Sequence, residues 1–288
     1  MPVGDISPIG LVKAPKSVVD ALHHWVSTRH ANFMASTHDQ TGDKALHFYT
    51  TSRAPVLNEQ KDLDSGAAED GSEWIVWTEY YAKMDGLLDH WEQGKKSGML
   101  GDFFTLTAEA DATFVQPLKV LHEVNRLIPT KDKPRAALAD LSGACQLLVM
   151  FTVPKEHIAE AEKMVHDHAE WMKELHGEKH TMLGKDRIFK PEEELLYYSL
   201  GTCPVLNNHM DLASGSNPDG SVIFLFTEYY KTKAGLLKQW EHAREMNEAK
   251  GADFTLAQMT ALEEKGMKTT FLQPLEVKAS INWFGKDA

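Results

Sequence analysis

The sequence predicts an α+β protein built from two tandem copies of one β-α-β-β-α-β unit, packed sheet to sheet. Three observations support this: a long internal repeat, the same order of strand and helix patterns in both halves, and strands that are apolar on both faces. The 288 residues are enough for two domains of about 100–150 residues each. We predict a first unit at 1–124, a linker at 125–142 and a second unit at 143–288.

The repeat is strongest over residues 46–92, which align with 195–241 at a constant offset of 149, with 22 of the 47 pairs identical. Upstream the offset is 138, which pairs His30 with His168, and downstream it is 157. Solenoid repeats span only about 20–45 residues, so a period of this length indicates a duplicated domain.

The second copy shows the element order most clearly. Its first strand is a continuous apolar run that ends at Pro154, its first helix ends before Gly177, and Asp219-Gly220 is a turn signal. The predicted elements, in order, are strand Gln146–Val153, helix Lys155–His176, strand Leu195–Leu200, strand Ser221–Tyr230, an amphipathic helix around Leu236–Met246, a short helical piece around Leu256–Glu264, and strand Thr269–Lys278. This order is the ferredoxin-like plan.

The first copy repeats the plan with a weaker start. Its first strand is predicted around Ile9–Lys13 and its first helix over Ser17–His38. The lysine- and proline-bearing stretch Thr130–Pro134 favours a linker between the copies.

The strands at 74–81 and 223–230 carry bulky, largely apolar residues on both faces. An antiparallel sheet with one solvated face alternates apolar and polar residues, so these strands need cover on both sides. We therefore expect the two bare sheet faces to pack on each other, as a pseudo-dimeric α/β barrel with helices outside.

The element order and the two-faced strands resemble those of the dimeric α+β barrel superfamily. That group includes antibiotic-biosynthesis-type monooxygenases, haem-degrading enzymes, stress-responsive barrel proteins and chlorite-dismutase-like haem proteins. The resemblance covers both halves and implies a ligand pocket between sheet and helices or inside the barrel, with haem as one cofactor to consider. It also implies a monomeric pseudo-dimer or a homodimer of pseudo-dimers. The sequence holds no family-specific motif, so no catalytic residue is transferred and the cofactor stays unknown.

Composition and motifs exclude several classes. The formal net charge of −12 and the lack of basic–aromatic clusters argue against nucleic acid as a partner. No apolar run approaches the roughly 18 residues of a membrane helix, and the N-terminus lacks signal-peptide features. Cys145 and Cys203 have no metal-type spacing. Free thiols and the lack of a signal peptide predict a cytoplasmic protein. The absence of nucleotide, serine-hydrolase and zinc-protease motifs predicts a protein without a motif-defined metal site.

His30 and His168 are the first candidate catalytic residues, because each lies on the apolar stripe of its copy's first helix. An inward imidazole is suited to a general base near neutral pH, or to a haem or metal ligand. The alternative is a core histidine bonded to a backbone carbonyl. Glu79 and Glu228 are the second pair, since a carboxyl on a buried strand face has a raised pKa unless it is paired. Their alternative is a salt bridge or hydrogen bond to the neighbouring helix.

Aromatic and amide side chains complete the candidate site. The expected ligand-binding residues are Trp77, Tyr81, Phe226 and Tyr230 on the strands, and Asn58 and Asn207 on the repeated loops. The alternatives are core packing for the aromatic residues and turn formation for the asparagines. His38 and His176, at the ends of the first helices, are interpreted as cationic caps.

These features favour a protein that binds a small, apolar or aromatic molecule, with a monooxygenase-like or related redox or isomerising activity implied by the resemblance alone. The strands of the second copy are the more apolar, so the ligand is expected there. The alternative is a non-catalytic stress-type or scaffold barrel whose repeated residues serve packing. That alternative predicts a filled interior with no cavity of about 300 Å³ or more.

Overall fold

The structure, a computed structural model, describes residues 5–129, 131, 140–177 and 180–285. Most of the predicted linker stretch Thr130–Pro134 lies outside the described residues. Among those that are described, no helix is both long and apolar enough to cross a membrane.

The strands and helices follow the predicted order in both copies. The strands are β1 Ile6–Ala14, β2 Leu46–Pro55, β3 Glu73–Tyr81, β4 Asp111–Asn125, β5 Cys145–Val153, β6 Thr181–Met182, β7 Lys185–Asp186, β8 Leu195–Pro204, β9 Val222–Tyr230 and β10 Lys268–Asn282. The helices are α1 Val19–His24, α2 Ala31–Thr37, α3 Met84–Lys96, α4 Met99–Leu106, α5 Ile158–His176, α6 Lys233–Lys250 and α7 Thr255–Glu264.

The chain divides into two compact units. Unit 1 comprises 1–119, 127–143 and 272–288, and unit 2 comprises 120–126 and 144–271. The division runs through the long strands β4 and β10, so each of them contributes residues to both units. The predicted boundaries at 124 and 143 stay a prediction.

In unit 1 the hydrogen-bonded strand order is β4-β1-β3-β2-β10, and each of these neighbouring pairs is antiparallel. In unit 2, β9 pairs with β5 on one side and β8 on the other, and the Arg126 amide donates to the Leu196 carbonyl at the end of β4. Each unit thus contains an antiparallel sheet. The finer prediction of two ferredoxin-like units packed sheet to sheet stays a prediction.

The central strands carry the core. Residues 75–81 of β3 and 224–230 of β9 are buried without exception, which is the reason their sequences are bulky on both faces. Along each strand alternate side chains share a face, so Glu79 lies on one face with Trp77 and Tyr81.

The first helix of copy one differs from the prediction. The expected helix over Ser17–His38 is three segments, in which a π-helical turn at Trp25–His30 separates α1 from α2. His30 is the last residue of that turn and is buried. Single π turns inside α-helices occur frequently at functional sites, because they redirect the side chains they carry.

Candidate functional site

The site in unit 2 forms where helix α5 crosses strand β9. His168 lies on the buried stripe of α5 with Val165 and Met172, and its Nε2 is 3.9 Å from Oε1 of Glu228 on β9. The other carboxylate oxygen, Oε2, accepts a hydrogen bond of 2.5 Å from the Tyr230 hydroxyl.

The imidazole of His168 is held on its other side by two aromatic rings. Its Nδ1 lies 3.2 Å from the Tyr198 hydroxyl, and its ring stacks on Phe226 with centroids 4.3 Å apart. The side chain therefore has one fixed orientation, with Nε2 directed at the carboxyl of Glu228.

Unit 1 repeats this arrangement with one addition. His30 Nε2 is 3.9 Å from Glu79 Oε1, and Tyr81 donates to Glu79 Oε2 at 2.7 Å. His30 Nδ1 lies 3.0 Å from the Tyr49 hydroxyl. The addition is His90 on α3, whose Nε2 is 3.8 Å from the same Oε1 of Glu79.

Burial controls the protonation of both pairs. It raises the pKa of Glu228 to about 7 and that of Glu79 to about 8, although hydrogen bonds from Tyr230 and Tyr81 oppose part of each shift. It lowers the pKa of both His168 and His30 to about 3. The histidines are thus neutral near neutral pH, and each carboxyl exchanges its proton in that range. Neither pair is the simple salt bridge that the sequence left open for the glutamates.

A cavity of about 50 Å³ adjoins the pair in unit 2. Its walls are almost entirely apolar and come from β5, β9, β10, α5, α6 and α7. They include His168, Glu228, Phe226, Trp171, Phe254 and Thr255. Such a volume holds a few water-sized molecules, whereas ligand pockets typically measure about 300–1,000 Å³.

A surface cleft of about 590 Å³ lies next to this cavity in the same unit. Trp171, Phe254 and Thr255 line both spaces. The rings of Trp171 and Phe254 meet edge to face with centroids 5.2 Å apart. This aromatic pair therefore borders both the cleft and the cavity.

Two polar atoms at this boundary are unsatisfied. The indole N–H of Trp171 and the hydroxyl of Thr255 are buried and have no hydrogen-bond partner among the described residues. A buried polar group without a partner costs about 1–3 kcal/mol, so a bound molecule that accepts these hydrogen bonds gains from both.

Haem does not fit the residues around His168. The imidazole is stacked on Phe226, and the adjoining cavity of about 50 Å³ is several times too small for a macrocycle. We derive no step through haem.

The structure brings most predicted site residues together within their own units. His30, Glu79, Trp77 and Tyr81 are neighbours in unit 1, as their counterparts His168, Glu228, Phe226 and Tyr230 are in unit 2.

Asn58 and Asn207 act within their own loops. The amide of Asn58 donates to the carbonyls of Ser65 and Ala67, and that of Asn207 donates to Ser214. This geometry favours turn formation over ligand binding, and neither residue lines the cavity in unit 2.

His38 and His176 differ from the cationic caps that the sequence suggested. Burial lowers the pKa of His176 to about 3 and that of His38 to about 4, so both are neutral. Each contacts the second helix of its unit instead: His176 Nε2 is 2.8 Å from Gln239 Oε1, and His38 Nε2 is 3.1 Å from His90 Nδ1.

Sequence reasoning missed His90, Tyr49, Tyr198 and Trp171 as members of the sites. His90 has no histidine counterpart in the second copy, where Gln239 stands at the equivalent position. The sequence signal that could have identified His90 is its position directly before the repeated Trp91, which places a polar side chain at the edge of a core-facing stripe.

Comparison with known proteins gives a fold but no family. No family model matches the sequence, and no curated protein matches it either. Among solved structures, a "putative monooxygenase" from Fusobacterium nucleatum subsp. nucleatum ATCC 25586 matches with a TM-score of 0.53 and 13% identity, over 98% of this chain and 96% of that chain.

Two further structures match less closely. An "anthrone oxidase-like protein" has a TM-score of 0.49 and 10% identity, over 99% of this chain and 96% of that chain. A "putative monooxygenase" from Lactobacillus acidophilus NCFM has a TM-score of 0.45 and 10% identity, over 96% and 98%. At 13% identity the first likeness concerns the fold alone.

Proposed function

We propose that unit 2 binds a small aromatic molecule beside His168 and Glu228 and transfers a proton to or from it. The observation that carries the proposal is the pairing of a neutral imidazole with a carboxyl whose pKa burial raises to about 7, at the wall of an apolar cavity. Two groups with pKa values shifted in opposite senses by burial are a common basis for acid–base chemistry.

His168 accepts the proton in this proposal and passes it to the carboxylate of Glu228, which is the stronger base because its pKa is about 7 and that of His168 is about 3. The proposal takes Nδ1, which lies 3.2 Å from the Tyr198 hydroxyl, as the protonated nitrogen, so that the lone pair of Nε2 faces Glu228. Glu228 is a positioning and proton-exchanging partner, because its proton is gained and lost near neutral pH.

The ligand enters from the cleft. A cavity of about 50 Å³ is too small for an aromatic molecule, so the pair Trp171–Phe254 has to part, which joins the cavity to the cleft of about 590 Å³. The free indole N–H and the hydroxyl of Thr255 are then donors for a polar substituent of the ligand. Aromatic rings on both sides favour a flat, apolar body with one oxygen atom.

The reaction class that fits is oxidation of an acidic carbon centre by dioxygen. His168 removes one proton from a CH2 group activated by neighbouring rings and a carbonyl, and the resulting carbanion reacts with O2. Conversion of CH2 to C=O consumes one O2 and releases one water, so no other reductant is needed. Similarity of the fold to a protein named as a monooxygenase is in line with this class.

The test uses two probes, 1-naphthol for binding and anthrone for turnover. Quenching of tryptophan fluorescence reports 1-naphthol, because Trp171 and Trp240 line the cavity. Oxygen uptake with anthrone reports the reaction. We expect His168→Gln to reduce turnover at least about 100-fold while 1-naphthol still binds, since general-base catalysis contributes about 10²–10⁴-fold.

His166→Gln is the matched control, because His166 lies on the same helix but is exposed. Turnover by His168→Gln at the rate of the control, or no turnover by the wild type, would contradict the catalytic proposal. Absence of 1-naphthol binding would contradict the ligand site itself.

A non-catalytic barrel is the second candidate, and one observation favours it. The cavity of about 50 Å³ lies well below the roughly 300 Å³ expected of a preformed ligand pocket. This candidate predicts that neither probe changes the fluorescence or consumes oxygen, and that His168→Gln alters stability alone.

A further inference from the structure

Unit 1 contains a cluster that its counterpart lacks. His30, Glu79 and His90 each offer one ligand atom, and these atoms lie within 4.8 Å of one another. His30 and Glu79 are buried, and His90 is only 12% exposed at its side chain. The three come from different elements: the π turn before α2, β3 and α3.

The hydrogen-bond network assigns the free nitrogen of His90. The Thr37 hydroxyl donates its one proton to the Phe33 carbonyl at 2.7 Å, so it can only accept from His38 Nδ1 at 3.0 Å. His38 Nε2 is therefore unprotonated and accepts from His90 Nδ1 at 3.1 Å. This leaves Nε2 of His90 as a lone pair, 3.8 Å from Glu79 Oε1.

The same reasoning applies to His30. The Tyr49 hydroxyl donates to the Val26 carbonyl at 2.9 Å, so it accepts from His30 Nδ1 at 3.0 Å. Nε2 of His30 is then also a lone pair, 3.9 Å from Glu79 Oε1. Two lone pairs and a carboxylate oxygen face one another, each too far from Glu79 for a hydrogen bond.

We propose that His30, His90 and Glu79 form a binding site for a divalent transition-metal ion in unit 1. Two imidazole nitrogens and one carboxylate oxygen are a ligand set typical of Zn²⁺ or of non-haem Fe²⁺, with open positions left for water or a ligand. Bonds of about 2.0–2.2 Å place tetrahedral ligands roughly 3.3–3.6 Å apart, so the separations of 3.9 and 3.8 Å between Glu79 Oε1 and the two imidazole nitrogens are close to those that an ion requires.

The surroundings are those of a metal centre. A histidine ligand usually donates its second nitrogen to a fixed acceptor, which sets the tautomer and the ring orientation. Here His38 receives the proton of His90 and Tyr49 that of His30. Tyr81 donates to Oε2 of Glu79, and Oε1 is the oxygen that faces both histidines.

Unit 2 lacks this site because of one residue. At the position of His90 it has Gln239, whose carbonyl oxygen is 2.8 Å from His176 Nε2 and whose amide contacts the Met172 sulfur. His168 and Glu228 remain, but two ligands do not hold an ion firmly. The proposed metal site is therefore separate from the acid–base pair of unit 2 and does not depend on it.

A second histidine cluster has to be distinguished from this one. His122, His166 and Glu170 also place ligand atoms within 4.8 Å, with His166 and Glu170 exposed. The Lys173 ammonium lies 3.2 Å from His122 Nδ1 and adds a positive charge that disfavours a cation. It serves as the control.

The experiment titrates metal-free full-length protein with Co²⁺ and follows visible absorption and bound metal per chain. We expect wild type and His166→Gln to bind one ion with a histidine-type spectrum, and His90→Gln to bind it at least about 10-fold more weakly. His90→Gln introduces the residue that unit 2 carries, so it should fold, which thermal melting checks. Unchanged binding by folded His90→Gln, or no binding by the wild type, would overturn the site.

A gain-of-function variant tests the same site from the opposite side. Gln239→His places an imidazole where it can donate to His176, as His90 donates to His38, beside His168 and Glu228. We expect it to bind a second Co²⁺ per chain. If the folded variant binds no additional ion, position 90 is not the residue that decides metal binding. If His90→Gln loses its metal while anthrone turnover is unchanged, the metal site stands and is independent of the proposed reaction.

Discussion

The carboxyl of Glu228 is kept from water by the aromatic side chains around it, and this determines how its proton responds to pH. It is 2% exposed and accepts one hydrogen bond from Tyr230. Burial raises its pKa from 4.5 to about 7. A group that titrates so differently in the folded and unfolded chains links stability to pH.

The first prediction concerns that linkage. Because the folded pKa is raised, the stabilisation is fully present below pH 4.5 and is lost as pH rises through about 7. The wild type should therefore lose stability relative to Glu228→Gln over this range, by at most about 1.4 kcal/mol per pH unit. Urea unfolding of both proteins from pH 4.5 to 8 measures it.

His168 has the opposite sign, since its pKa is lowered to about 3 and its contribution is lost as pH falls below 6.5. It is present in both proteins, so the comparison largely removes it. Glu248→Gln, with the same charge change at an exposed position, should show no such slope. Parallel curves for wild type and Glu228→Gln would show that the carboxyl is ionised in the folded protein.

The second prediction concerns the unpartnered hydroxyl of Thr255. Removing a buried group that has no hydrogen bond costs little, so Thr255→Val should keep or raise stability within about 1 kcal/mol. It should weaken 1-naphthol binding about 2–10-fold, which corresponds to one net hydrogen bond.

Thr107→Val is the contrast, because the Thr107 hydroxyl is buried and donates to the Phe103 carbonyl at 2.9 Å. We expect this variant to lose about 1 kcal/mol of stability and to leave 1-naphthol affinity unchanged. A destabilised Thr255→Val with normal affinity would mean that its hydroxyl is used inside the folded protein and does not contact a ligand.

Sequence alone identified part of the site at this scale. The sequence could identify His30, His168, Glu79 and Glu228, because the repeat places a histidine and a glutamate on an apolar face in both copies. His90 could not be identified in this way, because its role depends on how α3 packs over β3 and on hydrogen bonds through His38. Such networks join residues 52 positions apart and leave no periodic pattern.

At the scale of elements, the two copies solve the same packing problem with different residues. In the β1–β3 pair Gly10 lies opposite Trp77, and in the β5–β9 pair Val149 lies opposite Phe226. A β-carbon on Gly10 would approach the Trp77 indole to 2.1 Å. Because the Trp77 ring is larger than that of Phe226, unit 1 requires Gly10 at the opposite strand position, where unit 2 has Val149.

The third prediction follows from this exchange. Gly10→Val should destabilise the protein by several kcal/mol, since overpacking a core commonly costs about 1–3 kcal/mol and more when backbone must move. Adding Trp77→Phe, which reproduces the pair of unit 2, should restore part of the loss. Thermal and urea unfolding of the single and double variants measure the coupling. Additive effects would show that the two positions do not compensate each other.

Most helices and strands were predictable, because apolar runs, amphipathic stripes and Gly or Pro residues at element ends occur in the same order in both copies. The exceptions have physical reasons. The final strand was predicted over Thr269–Lys278 but runs from Lys268 to Asn282, because hydrogen bonding to β2 continues at residues whose side chains carry no strand signal. The π turn at Trp25–His30 is equally invisible, since its residues are ordinary helix formers.

At the scale of the whole molecule, the two copies share one arrangement of side chains and differ in what surrounds it. Both keep the histidine–carboxyl–tyrosine arrangement. Unit 1 adds His90 beside its carboxyl, and unit 2 has the apolar cavity behind Trp171 and Phe254. The sequence established the repeat and its offsets, but which copy holds which feature depends on packing that only the folded chain defines.

The most direct test of the central claim is a crystal structure of the protein soaked with 1-naphthol. The account predicts a naphthol ring in unit 2 between the parted rings of Trp171 and Phe254, with its hydroxyl within hydrogen-bond distance of His168 Nε2, Thr255 Oγ1 or Trp171 Nε1. A structure at saturating 1-naphthol in which this aromatic pair stays closed and the cavity holds no ligand would contradict it.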